Sequence, residues 1–172
     1  MVKIFGSMLI IFSLGMIGFI KAEKFKKRYE EMLDFKKILV MLQGEIRYNN
    51  SAIAEAFLHV SKHFKGAYAS ILDEASVRTS DNSGESFEKI WLEIVDKNKD
   101  MLNVNDSDMD IIRELGKSIG YLDREMQNKS LDMLIGRAQI TIDEQCEKLP
   151  ENMKIYRCMG IMMGIFVILL IL

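Results

Sequence analysis

Apolar residues recur at steps of three and four through the middle of this chain, and at its two ends they run together without charge. In the middle, Met32, Phe35, Leu39, Leu42 and Ile46 trace one face of a first helix of about twenty residues. "YNNS" (Tyr48–Ser51) breaks it and offers Asn50 or Ser51 as the next N-cap. Ile53, Phe57, Val60 and Phe64 predict a second helix that ends near Gly66, where a missing Cβ suits a left-handed C-cap. A short third helix carries Ile71, Leu72 and Ala75, and the polar "RTSDNSG" (Arg78–Gly84) reads as a loop. Phe87, Ile90, Trp91 and Ile94 predict a fourth helix. Ile112, Leu115, Ile119, Leu122 and Met126, then Leu131, Ile135, Ala138, Ile142, Cys146 and Leu149, predict a fifth and a sixth. Pro150 lacks the N–H that a helix interior needs, so a kink or restart is expected there.

The ends differ in kind. Residues 4–20 hold no charge and residues 155–172 are apolar after Arg157, each near the short limit for a helix that crosses a bilayer at about 1.5 Å per residue. Lys21, Lys24, Lys26, Lys27 and Arg28 follow the first segment, and Lys148, Lys154 and Arg157 precede or open the second. Basic flanks stay on the cytoplasmic side, so the middle is expected in the cytoplasm and both termini across the membrane. A cleaved signal peptide is disfavoured, with only Lys3 as basic n-region and no small-residue cleavage site. The expected fold class is all-α: a six-helix bundle over residues 21–154 flanked by two transmembrane helices, 1–20 and 155–172.

Composition narrows the functional classes. The 172 residues carry 23 Lys plus Arg against 25 Asp plus Glu, without the basic stripe that nucleic acid demands. The two cysteines, Cys146 and Cys158, lie on either side of Pro150 and suit free thiols in a reducing cytoplasm. His59 and His63, in "HVSKH", share a predicted helix face but lack the Glu of a zinc-protease motif, Val60 standing in its place. Asp106, Asp108 and Asp110 mimic the start of a calcium loop, yet Ile111 and Lys117 occupy the positions that require Gly and Glu. Ser107 with Asp110 reads better as a capping-box-like helix start. Neither a phosphate-cradling Gly-rich loop nor a nucleophile elbow is present, so no enzyme activity, metal or cofactor is expected and any ATP use belongs to a partner. A weak internal repeat, "NSAIAEAF" against "GESFEKIW" at an offset of 34 residues, suggests two similar helical hairpins.

"LGKSIGYLDREMQNKSL" (Leu115–Leu131) is the most distinctive stretch. Gly116 and Gly120 stand one turn apart and would open a flat packing patch in a continuous helix, while Gly120 could equally cap the fifth. Asp123 and Glu125 then fall in the first turn of the sixth helix, where the dipole favours acids, with Gln127 and Lys129 as their partners at four-residue spacing. Helical geometry turns Asp123, Arg124 and Glu125 toward different neighbours. Arg124 is the least explained by local structure; its guanidinium suits a carboxylate, with Glu45 of "LQGEIRY" as candidate partner.

That stretch, "LQGEIRYNNSAIAEAF" and the two apolar ends together resemble the stage III sporulation protein AB family of endospore-forming bacteria, over essentially the whole chain. "NNSAI" (Asn49–Ile53) departs from the Thr-Pro-Leu that relatives often carry. The family is in turn similar to the cytoplasmic F domain of type II secretion and type IV pilus platform proteins. The resemblance implies a non-catalytic scaffold in the mother-cell membrane around the forespore. It would work beside a cytoplasmic ATPase, stage III sporulation protein AA, and other membrane proteins of a channel complex, in a form compatible with self-association. Glu45, Asp123, Arg124 and Glu125 are then the expected polar seam or partner surface. The rival reading is a membrane-tethered helical adaptor for another cytosolic client.

Overall fold

The computed structural model describes residues 2–49, 51–81, 84–120 and 123–171, with side chains outside the description at 2–15, 17, 18, 49, 151, 152, 157, 160, 161 and 163–171. Asn50, Tyr121, Leu122 and the Arg157 side chain therefore lie outside the described residues. Within them are six α-helices: α1 (Val2–Gly44), α2 (Ile53–Ser61), α3 (Ala67–Ser80), α4 (Phe87–Asn98), α5 (Asp106–Ile119) and α6 (Arg124–Ile171). A π turn, Glu45–Asn49, ends α1, and a 3₁₀ turn, Lys99–Met101, follows α4.

Two compact units divide the chain: residues 31–142 form one, and 1–30 with 143–172 the other. The first is the bundle. Met32, Phe35, Ile38, Leu39, Leu42 and Ile46 are all buried, as the stripe requires. Gln43 donates to the Asp132 carboxylate at 2.7 Å and to the Asn128 carbonyl at 3.4 Å, and Lys36 pairs with Gln139. The numbers fall along one helix as they rise along the other, so α1 and α6 run antiparallel within this unit. Phe57, Phe87 and Trp91 form an aromatic cluster with centroids 5.2 to 6.3 Å apart. The indole N–H of buried Trp91 donates to the Ile112 carbonyl at 2.8 Å, tying α4 to α5. Full burial of each such side chain contributes roughly 1.5–3 kcal/mol. Tyr68 stacks on Phe35 at 6.3 Å and donates to the Glu31 carbonyl at 3.3 Å. Burial first, then the charges of Glu31, Asp34 and Asp108, raise its phenol well above the ordinary value.

Several boundaries differ from those expected. Helix α2 stops at Ser61, so His63 lies beyond its end and does not share a helix face with His59. Gly66 does adopt φ +68, but as the residue before α3 rather than the cap of α2. Helix α3 runs on through Ser80, where the hydroxyls of Thr79 and Ser80 turn back to the carbonyls of Ala75 and Ser76, at 2.6 and 3.0 Å, rather than opening a loop. The cap of α5 is Asn105, whose side-chain oxygen accepts from Asp108 N–H at 2.9 Å, in place of Ser107. Pro150 sits inside a continuous α6 and neither ends nor restarts it.

In the second unit, Phe25 stacks on Tyr156 at 5.2 Å, and Lys21 Nζ lies 5.9 Å from the same ring. Cys146 and Cys158 are free and exposed. Among the described residues no helix is long and apolar enough to cross a membrane. Most side chains of the two expected spans lie outside those residues.

Candidate partner surface at the head of the bundle

The end of the bundle at which α1 stops and α6 starts is here called the head. The chain returns to it three times, at the π turn and the start of α2, between α3 and α4, and between α5 and α6. Antiparallel packing thus gathers Glu45, Asp123, Arg124 and Glu125 at one end, though they are distant in sequence.

Each carboxylate there has a local task. Glu45 accepts from Ser51 Oγ at 3.1 Å, and its Oε2 lies 3.4 Å from His59 Nδ1. Asp123 is not in the first turn of α6 but immediately before it. Its carboxylate accepts from Met126 N–H at 3.0 Å and its carbonyl from Gln127 N–H at 3.0 Å, which makes it the N-cap. Glu125 meets Lys129 at 2.7 Å, as the four-residue spacing predicts. The Gln127 side chain instead donates to the Ile119 carbonyl at 2.9 Å, tying the start of α6 to the end of α5.

Glu45 and Arg124 are not paired with each other. Arg124 is exposed and no carboxylate partner faces it among the described residues; only its carbonyl is used, accepting from Asn128 at 3.0 Å. Arg47 is likewise exposed, with its guanidinium carbon 5.5 Å from the ring centroid of Tyr48, itself 76% exposed. Arg47 and Tyr48 were missed as surface candidates. The signal was available: an Arg-Tyr pair placed where the apolar stripe stops.

The two glycines divide their roles. Gly116 faces α4, where an added Cβ would stand 3.0 Å from Trp91 Cδ1 and 3.3 Å from Glu88 Cα. Gly120 follows α5 in right-handed geometry, φ −68, and donates to the carbonyls of Gly116 and Lys117 at 3.1 and 3.2 Å. The helix therefore breaks after Ile119, and the pair does not form one continuous patch. Beside this break lies a cavity of about 430 Å³, lined by residues that include Ile53, Phe87, Lys117 and Gly120.

No group of three or more His, Cys, Asp or Glu among the described residues is placed to hold a metal. His59 lies beside Glu45 and Glu55, at 3.4 and 3.8 Å, as part of the polar surround of the π turn.

What fold and surface define is a helical bundle with an exposed arginine- and tyrosine-bearing end. The chain belongs to the stage III sporulation protein AB family, whose sequence pattern matches residues 3–172. It is 21% identical over 172 residues to stage III sporulation protein AB of Bacillus subtilis (strain 168), covering 100% of both chains. A solved structure of stage III sporulation protein AB shares the fold, with a TM-score of 0.66 and 18% identity over 72% of this chain and 96% of that one. Family membership supports a role in sporulation.

Proposed function

We propose that this protein is a non-catalytic platform of a sporulation channel complex in the mother-cell membrane around the forespore. Its bundle lies in the cytoplasm and couples an ATPase of the stage III sporulation protein AA type to membrane-embedded partners, a step needed for forespore development. The observation that carries this reading is the course of α1 and α6. Each continues without a break from the bundle into one of the two apolar ends, so a bundle held by both helices can pass force or position along them. The basic residues that flank both apolar segments support the cytoplasmic side for the bundle.

Complementation of a sporulation-deficient strain tests the reading. The full chain should restore spore formation, whereas a copy lacking residues 1–20 and 155–172 should accumulate and fail. Normal spore yield from the truncated copy would overturn the platform reading.

A further inference from the structure

The unit formed by residues 1–30 and 143–172 changes character along its length. On α1, Met16, Ile20, Lys24 and Lys27 step by four, four and three, so they share one helix face, and all four are exposed. On α6, Met162, Met159, Ile155 and Lys148 share a face in the same way, at steps of three, four and seven, and are exposed too. Each face is apolar toward the chain end and cationic toward the middle of the chain. Exposed apolar side chains aligned on one face of a helix mark a surface that something other than water covers.

The two helices are tied together where the character changes. Phe25 stacks on Tyr156 at 5.2 Å, and Lys21 Nζ lies 5.9 Å from the centroid of the same ring. Tyrosine, with an apolar ring and a polar tip, is favoured where an apolar layer meets a polar one. Charge is sorted in the same direction. Residues 21–28 and 147–158 hold eight Lys or Arg against three Asp or Glu, whereas residues 29–30 and 143–146, next toward the middle of the chain, hold three acids and no Lys or Arg. Lys26 is tied to Glu30 at 3.4 Å. Lys24, Lys27, Lys148 and Lys154 are exposed, and no carboxylate pairs with them among the described residues. The surplus at this level is positive with every acid there counted.

We infer that this collar binds the phosphate layer of an anionic phospholipid leaflet, with Lys24, Lys27, Lys148 and Lys154 on the headgroups and Tyr156 at the acyl boundary. Both halves of the surface select the occupant: the apolar faces meet acyl chains, and the lysines about one turn away meet phosphate. A soluble anion would satisfy the lysines alone and leave the apolar faces bare. This inference rests on the platform reading and adds the lipid class to it, because the collar separates anionic from zwitterionic headgroups and the apolar segments alone do not.

The test uses the full chain reconstituted into vesicles of equal phosphatidylcholine and phosphatidylglycerol. The protein is then extracted in mild detergent, and the lipid that co-purifies is measured by mass spectrometry. The wild type should retain phosphatidylglycerol over phosphatidylcholine by about five-fold or more. A quadruple variant, Lys24→Gln, Lys27→Gln, Lys148→Gln and Lys154→Gln, should insert and lose that enrichment. A matched variant of exposed bundle lysines, Lys62→Gln, Lys65→Gln, Lys99→Gln and Lys117→Gln, should keep it. Circular dichroism confirms that each variant is folded. Equal retention of both lipids by inserted wild type would overturn the collar and leave the platform reading standing. Enrichment that survives the quadruple variant, or that the matched variant loses equally, would overturn the collar as well. Wild type that alkali strips from the vesicles is not inserted, and that result would overturn the platform reading and the collar together.

Discussion

Gly116 on α5 lies hard against Trp91 on α4: a Cβ at the glycine would stand 3.0 Å from indole Cδ1 and 3.2 Å from Trp91 Cβ. The ring cannot simply swing away, because its N–H is held by the Ile112 carbonyl at 2.8 Å. Glu88 Cα, 3.3 Å from the same point, is backbone and less able to yield.

Gly116→Ala should therefore destabilise the protein by about 1–2 kcal/mol despite alanine's better helix propensity, since overpacking outweighs the propensity gain. Gly136 on α6 is the control. Nothing lies within 4 Å of its would-be Cβ, so Gly136→Ala should stabilise by up to about 1 kcal/mol. Urea titrations of both variants check the opposite signs.

Asp123 caps α6 through the amide of Met126. Asp123→Ala should cost about 1 kcal/mol, and Asp123→Asn much less, because an amide oxygen can still accept the bond. Thermal melts of the two variants should separate these losses, and equal losses would mean that the charge, not the cap, matters.

Tyr68 gives an alkaline signature. Its folded pKa is raised by burial and by Glu31, Asp34 and Asp108, so the folded state holds the phenolic proton more tightly than the unfolded chain does. The stability this contributes is full below the ordinary value of 10.0 and is lost as pH rises toward the folded value. Stability of the wild type should fall steeply above that point, while Tyr68→Phe, lacking the titrating group, should show a shallower fall. Parallel curves in denaturant titrations at alkaline pH would contradict this.

The helices themselves were legible because burial imposes a period. Met32, Phe35, Leu39, Leu42 and Ile46 all face the core where the three-four step puts them. Helix ends were harder, because Asn105 and Ser107 are both good caps two residues apart and only tertiary packing selects one. The break at Gly120–Asp123 explains a phase error. A count carried from Ile119 to Met126 assumes one helix, but α6 starts afresh at Arg124, so Gln127, Leu131, Leu134, Ala138 and Ile142 face the core while Met126 is exposed. Ile135 is half-buried and Cys146 lies outside the bundle unit for the same reasons of phase and length. At the surface, sequence found the acids of the head and the Glu125–Lys129 pair, but not the ties of Glu45 to Ser51 and His59 or the capping bond of Asp123, and it passed over Arg47 and Tyr48. Pairing between distant helices decides which charges are left over, and no spacing rule encodes that.

The most direct measurement is a photo-crosslinking residue placed at Tyr48 in the full chain, expressed in sporulating cells at native level. The platform account predicts an adduct with the AA-type ATPase. Adducts formed only with unrelated cytosolic proteins would contradict it and make the bundle a membrane-tethered adaptor instead.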